Sequence, residues 1–420
     1  TIVVVAPISG GPSDLLGILP GDRIVEIEGK SVASKGITNQ DVMDQLRGPG
    51  GTDVSVRIYR RGHKKLLPFT ITRGEIPIFS VDIGYMINPV TGYIKISRFS
   101  RNTYEEFKEA MEKLKDRGME QLILDLRGNP GGYLEAATLI ADEFLERDQL
   151  IVYTEGKSRP RMPYYASSKG NFEQQPLVVL IDEGSASASE IVAGAIQDND
   201  RGSIVGRTSF GKGLVQEQSV FPDGSALRLT IARYYTPTGR CIQRPYNKGV
   251  EAYYEDLYNR SDIHGGNGDS LPEPDSLKYL TPGGKVVYGG GGIRPDIFVP
   301  VDTNGYSAYL NRLVGSGLIN QFSFHYADLH REELMQKYNE ESYRTRFSIS
   351  GSVKEDFIKY TVEHSLPFEE EGWQRSGEWI RLRIKSAIGR QIWREMGFYP
   401  VLLERDPAVK EALKLLPGNF

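Results

Sequence analysis

Hydrophobic and polar positions fall into four successive patterns along the 420 residues. From residue 1 to about 74, short apolar runs such as Ile2–Ala6 and Ile24–Ile27 alternate with turn signals such as Leu19-Pro20-Gly21-Asp22 and Glu28-Gly29. Thr38 stands as N-cap to a short helix over Asn39–Leu46, which Gly48-Pro49-Gly50-Gly51 stops. Val54–Tyr59 and Leu66–Ile71 predict a hairpin around Arg61-Gly62. This region reads as a small β-rich module.

From about 75 the pattern changes. Tyr93–Ile96 predicts a strand, and Thr103 to Arg117 a helix with Phe107, Met111 and Leu114 on one face. Gln121–Leu126 and Leu177–Ile181 read as buried strands, each followed by a helix, over Leu134–Leu145 and from about Ser189 to Gln197. Alternating strands and helices imply a mostly parallel sheet covered by helices. Residues 243–292 are polar and rich in Gly and Pro, as a long hairpin or surface loop would be. Beyond about 305 the chain turns helical and aromatic, over Glu332–Tyr343, Lys354–Glu363 and Glu378–Glu395. The expected division is 1–74, 75–302 and 303–420: a β-rich module, an α/β core and a helical extension.

Composition narrows the function. Hydrophobic residues make up 39% and charged residues 25%, as in an ordinary globular protein. The net charge is −4, without the basic excess of a nucleic-acid binder. No apolar run approaches the roughly 20 residues of a membrane helix. The single cysteine, Cys241, excludes an internal disulfide framework and a cysteine-based zinc site. No His, Asp or Glu cluster has metal-ligand spacing, so neither a metal nor a cofactor is expected. The chain opens on Thr1 rather than Met, so an upstream part is expected to have been removed and the absence of a signal peptide carries no weight.

Chemistry concentrates between Leu177 and Gln216. A buried strand runs into Asp182-Glu183-Gly184, then Ser185-Ala186-Ser187-Ala188-Ser189-Glu190 and an apolar helix. Small residues at a strand-to-helix turn allow close backbone approach, and free N–H groups at the helix start suit an oxyanion; ordinary capping explains the same residues. Lys212 lies in Gly206–Gly213, among small residues and near Phe210 and Leu214. A lysine acts as a base only when neutral, and burial is what lowers its pKa. None of the five histidines falls between 75 and 263, so a Ser–Lys pair is easier to assemble there than a Ser–His pair. Gly206-x4-Gly211-Lys212 falls short of a phosphate-binding loop, because Gly213 follows in place of Ser or Thr and Leu214–Val220 reads as a strand rather than the helix such a loop opens. Ser209-Phe210-Gly211-Lys212 fits the Ser-x-x-Lys of penicillin-binding enzymes, without a clear helix or a later Lys-Thr-Gly. Leu124–Gly132 sits just past a buried strand, and its glycines could offer N–H groups to an oxyanion or simply form a tight turn.

Taken in order, Leu-Asp-Leu-Arg-Gly-Asn-Pro-Gly-Gly at 124–132, Gly-Ser-Ala-Ser-Ala-Ser-Glu-Ile at 184–191 and Thr-Ser-Phe-Gly-Lys-Gly-Leu-Val-Gln at 208–216 resemble the carboxyl-terminal processing (tail-specific) serine peptidases. Gly290–Asp296 resembles the closing motif of that family, and residues 7–13 and 19–24 resemble its PDZ domain. The match covers residues 1 to about 302. The resemblance implies a multidomain protein of α/β and β class: a PDZ-like module, an α/β peptidase core with a mostly parallel sheet, and a helical C-terminal extension. It implies Ser187 as nucleophile, Lys212 as general base and Gln216 orienting the amine. The N–H groups of Ala188 and of Gly131 or Gly132, with Gly132 favoured, are the implied oxyanion hole. Asp125, Arg127 and Glu190 match supporting positions.

The implied substrates are proteins or peptides with accessible C-termini, cleaved through an acyl-enzyme, in an extracytoplasmic compartment such as the bacterial periplasm. The first PDZ strand and its carboxylate-binding loop are expected before Thr1, so no PDZ ligand residues are assigned. The tail from about 303 matches nothing in the family, and reads either as packing on the core or as the interface of a homodimer. Two rival readings stand beside the peptidase: a PDZ scaffold with an inactive core, and an acyl-serine enzyme using Ser209.

Overall fold

The computed structural model describes residues 2–247, 249–251, 253, 255, 275–303 and 305–418. They form two compact units, Phe79–Thr303 with Arg405–Phe420, and Thr1–Ile78 with Asn304–Glu404.

The first of these is built on a six-stranded sheet. Its strands are β1 (Val81–Met86), β2 (Thr91–Ile96), β3 (Gln121–Asp125), β6 (Leu177–Ile181), β7 (Ser203–Gly206) and β12 (Ile297–Phe298), in the spatial order β12-β7-β6-β3-β2-β1. Only the β1–β2 pair is antiparallel. The mostly parallel sheet read from the sequence is therefore present. Both central strands, β3 and β6, are buried at every position. Helices α1 (Thr103–Lys115), α2 (Leu134–Asp142) and α3 (Ala188–Asp198) cover it, joined by α4 (Pro407–Leu415) from the far end of the chain. Phe107, Met111 and Leu114 form the buried face of α1, as their spacing requires. All of α3 is buried, which accounts for its run of Ile, Val, Ala and Gly.

A second, antiparallel sheet joins β4 (Leu150–Gly156), β5 (Arg159–Tyr165), β8 (Leu214–Val220) and β9 (Ala226–Tyr235) in the order β5-β4-β9-β8. Of these only β8 is legible in the sequence. Most of β5 and β9 is exposed, so they lack the apolar run of a buried strand. Much of the polar excursion expected at 243–292 lies outside the described residues. Its end forms the short hairpin β10 (Lys278–Leu280) and β11 (Val286–Tyr288).

The other unit contains the expected β-rich module. Its strands Ile2–Val3, Arg23–Ile27, Asp53–Tyr59 and Leu67–Thr72 lie in that order, with Lys30–Ser31 paired to the second. Burial alternates along Asp53–Tyr59, placing Val54, Val56 and Ile58 in the core with Ile24 and Ile27. Thr38 caps the helix Asn39–Leu46, its hydroxyl accepting from Asp41 N–H. The remainder is helical around a second core that includes Tyr343, Phe357, Trp373 and Ile384. One helix expected over Glu332–Tyr343 is instead two, Leu318–Lys337 and Glu340–Arg346. Asn339 interrupts it, because its side chain accepts from Ser342 N–H and starts the second helix. Among the described residues no helix is long and apolar enough to cross a membrane.

The end of α3 is held by a fully buried ion pair. Arg240 Nη2 donates to Asp198 Oδ1 at 2.6 Å and to Gln197 Oε1 at 2.6 Å, and Nη1 donates to the Tyr288 carbonyl at 2.9 Å. Asp198→Ala leaves that guanidinium buried and short of its counter-ion. It should lower unfolding stability by about 3–5 kcal/mol in urea denaturation. A loss below about 1 kcal/mol would show that water reaches the pair.

Candidate active site

Strand β6 ends in a turn that is fixed from both sides. Asp182 Oδ1 accepts from Gly128 N–H at 2.7 Å and Gly184 N–H at 3.0 Å, and Ser185 Oγ donates to the Leu126 carbonyl at 2.9 Å. Burial pushes the Asp182 carboxyl up, against the pull of the Gly128 N–H and of Arg207. The turn delivers Ser187 at φ 54° and ψ −111°, a conformation that L-residues rarely adopt and that costs roughly 1–3 kcal/mol. Helix α3 starts at the next residue.

Glu190, on the first turn of α3, is fully buried. Its Oε2 accepts from Ser187 N–H at 2.8 Å and from Lys212 N–H at 2.9 Å, and its Oε1 from Gly211 N–H at 2.6 Å and Ser209 Oγ at 2.5 Å. Burial raises the Glu190 pKa, and these four donors oppose the rise. A single carboxylate oxygen therefore joins the backbones of Ser187 and Lys212. Lys212 is half-buried, and no hydrogen bond links its Nζ to Ser187 Oγ among the described residues. Ser209 is different. Its hydroxyl gives its proton to Glu190 and accepts Ile293 N–H at 2.6 Å, in a fully buried position. Gln216 lies exposed on β8, next to a bulge, and no hydrogen bond joins it to Lys212 among the described residues.

The loop after β3 supplies N–H groups. Asn129 Oδ1 accepts from Gly131 N–H at 2.8 Å, so that group is occupied. Phe99 N–H donates to the Gly131 carbonyl and Tyr133 N–H to the Phe99 carbonyl, and neither bond uses Gly132 N–H. Ala188 N–H opens α3 and has no intrahelical acceptor. The Asn129 carbonyl accepts from Ala186 N–H and Ser189 Oγ, both at 2.9 Å, which sews this loop to the Ser187 turn. Gly131 lies so close that a Cβ there would stand 2.6 Å from the Ala186 carbonyl oxygen and 2.7 Å from Ser187 Cβ. Gly132, at φ 152°, has no room for a Cβ against the Phe99 carbonyl.

Asp125 and Arg127 anchor this loop. Asp125, 1% exposed, accepts from Tyr93 Oη at 2.6 Å, Arg127 Nη2 at 2.6 Å and Arg127 N–H at 2.9 Å, with Lys95 Nζ at 3.6 Å. Burial alone would push its carboxyl up. The Arg127 and Lys95 cations outweigh that and hold it well below the usual carboxylate range. Arg127 Nη1 donates to Asp406 Oδ2 at 2.8 Å, while Asp406 Oδ1 caps α4.

The structure thus brings together Ser187, Lys212, Glu190, Ala188 and Gly132, with Asp125 and Arg127 beneath the loop, and leaves Gln216 apart. Three further participants escaped the sequence reading: Asn129, Tyr234 and Asp406. Asn129 stands inside a quoted motif, and an Asx-type turn was a legible signal for it. Tyr234 Oη lies 2.7 Å from the Lys212 carbonyl and 3.2 Å from the Ser187 carbonyl. No local pattern marks Tyr234 or Asp406. Among the described residues no group of His, Cys, Asp and Glu is arranged to hold a metal ion.

Residues 90–255 match the model of peptidase family S41, residues 3–60 that of the PDZ domain, and residues 309–394 that of a family of unknown function (DUF8443). A carboxy-terminal processing protease, CtpB, of Bacillus subtilis is 39% identical over 252 residues, 60% of this chain and 51% of the relative. One from Bartonella bacilliformis is 39% identical over 247 residues, covering 58% and 56%. A Synechocystis carboxyl-terminal-processing protease is 38% identical over 244 residues, covering 57% and 56%. The chain spans about half the length of these relatives. Among solved structures, a photosystem II D1 C-terminal processing protease is 28% identical, covering 72% of this chain and 69% of that one, at a TM-score of 0.39.

Gly131→Ala should displace the Ser187 turn, and labelling of the protein by a fluorophosphonate should fall by about 100-fold while near-UV circular dichroism is retained. Normal labelling would mean that the loop yields without moving the turn. Asp125→Asn tests the loop anchor by pH. The folded-state pKa of Asp125 is depressed, so its contribution is present above about pH 4 and is lost as the pH falls further. The stability difference between the native chain and Asp125→Asn should shrink on acidification below that value. A constant gap in urea denaturation at pH 7 and pH 3 would exclude it.

Proposed function

We propose that this chain, whose residues 90–255 match the model of peptidase family S41 and residues 3–60 that of the PDZ domain, is a serine endopeptidase with a Ser187–Lys212 dyad, acting on proteins near their C-termini. The observation that carries the reading is the shared Glu190 oxygen, which accepts from both Ser187 N–H and Lys212 N–H. It is supported by two N–H groups without acceptors among the described residues, at Ala188 and Gly132.

In this reaction Lys212, as the neutral amine, takes the proton of Ser187 Oγ as that oxygen attacks the carbonyl carbon of the scissile peptide. The C=O double bond becomes a C–O⁻ single bond, and its charge is met by Ala188 and Gly132 N–H. Collapse breaks the C–N bond, and the ammonium of Lys212 returns the proton to the departing amine. The acyl group is left on Ser187 Oγ. Water then attacks the ester, Lys212 accepts its proton, and breaking the ester bond frees the new carboxylate and restores the serine. The transfer needs Lys212 Nζ to come within hydrogen-bond reach of Ser187 Oγ, because no bond joins them among the described residues. Gln216, exposed on β8, is the residue proposed to orient the amine. Substrates with accessible C-termini and an extracytoplasmic site of action accord with relatives that are carboxy-terminal processing proteases.

The Ser209 reading is weakened by the burial of that hydroxyl and by its bonds to Glu190 and Ile293. Cleavage of casein or of a fluorogenic peptide is the test. Ser187→Ala and Lys212→Ala should each lower the rate by about 10³-fold or more. Loss of labelling by a fluorophosphonate should accompany Ser187→Ala and spare Ser209→Thr. Cleavage that survives Ser187→Ala would refute the dyad.

A further inference from the structure

Two chain segments, Ser187–Glu190 and Ser209–Lys212, have to be held in register for the proposed dyad, and Glu190 ties them through N–H groups and the Ser209 hydroxyl. The carbonyls of Ser187 and Lys212 are joined by one residue from a third element. Tyr234, on β9, is 2% exposed. Its N–H donates to the Gly213 carbonyl at 3.0 Å. Its hydroxyl lies 2.7 Å from the Lys212 carbonyl and 3.2 Å from the Ser187 carbonyl. The two ends of Tyr234 therefore grip the consecutive carbonyls of residues 212 and 213. The shorter distance makes Lys212 the main acceptor, with the Ser187 carbonyl sharing the same proton. That carbonyl also accepts Glu190 N–H and Ile191 N–H as α3 begins. Burial and the nearby Glu190 charge keep the Tyr234 hydroxyl protonated, and so a donor.

We propose that Tyr234 is a positioning residue for catalysis: its hydroxyl pins the Lys212 backbone against that of Ser187, so that a rotation of the lysine side chain alone completes the dyad. The inference rests on the dyad reading for its kinetic consequence, and on the distances alone for its structural one. Lys212 is flanked by Gly211 and Gly213, and Gly211 stands at φ 85°. Such a segment has little stiffness of its own, so its backbone needs external fixing. Glu190 holds its N–H side, Arg244 N–H donates to the Gly211 carbonyl, Gln243 Oε1 accepts Gly213 N–H, and the Tyr234 hydroxyl holds the carbonyl of Lys212 itself. Without the hydroxyl, the Lys212 carbonyl loses its tether between those flanking anchors, and the amine spends less time facing Ser187 Oγ.

Tyr234→Phe removes the hydroxyl and keeps the ring. Two outcomes are expected. Backbone hydrogen exchange over 209–214 should rise by about tenfold, with the urea midpoint little changed. The rate of Ser187 acylation by a fluorophosphonate, and kcat on a peptide, should fall by about tenfold or more, while KM stays within about twofold. Tyr235→Phe, on the same strand and stacked on Tyr153, should leave both unchanged. Difluorotyrosine at 234, which retains the hydroxyl, should keep the native rate, and it serves equally if Tyr234→Phe fails to fold: a large loss there would overturn the proposal. Unchanged exchange and acylation in Tyr234→Phe would overturn it too. Faster exchange together with a native chain that no fluorophosphonate labels would uphold the positioning and sink the dyad reading instead.

Discussion

A buried carboxylate with four donors is the constraint on which the site depends. Glu190 has no solvent exposure, and a carboxylate in that position is costly unless its oxygens are hydrogen-bonded. Ser187, Gly211 and Lys212 meet that requirement with backbone N–H groups, and Ser209 meets it with a hydroxyl. Ser187 belongs to one segment and Ser209, Gly211 and Lys212 to another. Satisfying one charge therefore fixes the start of α3 and the glycine-flanked lysine loop as a single unit. The same requirement explains why the segment from 206 to 213 is glycine-rich: at Gly211 a Cβ would meet the Arg244 side chain and the backbone of Gly292, and no loop bearing one could come so close.

The closing motif belongs to this network. Ile293 N–H donates to Ser209 Oγ, and Ser209 N–H returns to the Ile293 carbonyl. Gln197 at the far end of α3 donates to the Arg294 carbonyl and to Asp296, and Asp296 also accepts Ile204 N–H from β7. The segment 290–296 therefore braces both ends of α3 without contributing a reactive group.

What could be read from the sequence follows the range of the forces involved. The turn at 182–190 and the loop at 124–132 are legible because small residues, glycine and Asp-x-Arg spacing answer to local backbone geometry. The central strands are legible because burial on both faces demands continuous apolar residues. Strands β5 and β9 are not, since their residues face solvent and their pairing is decided by neighbours far along the chain. Tyr234 is hidden for the same reason: only the register of β8 with β9 brings it under Lys212. Asp406 is hidden more deeply, because it meets Arg127 across 279 residues and doubles as a helix cap, which is all its own neighbourhood announces. The helix expected over 332–343 fails at Asn339, where a local side-chain bond to Ser342 outweighs the helical pattern on either side.

If the proposed dyad operates, backbone groups carry its fixed part: the N–H groups of Ala188 and Gly132, the strained Ser187, and a lysine loop held by Glu190, Tyr234 and Arg244. No hydrogen bond links the Ser187 and Lys212 side chains among the described residues, so the proposed proton transfer requires side-chain torsions to change while the backbone stays in place. Staggered torsions interconvert at far lower cost than a hydrogen-bonded backbone moves. On that reading, any influence that biases the Lys212 rotamer governs the rate without having to rebuild the site.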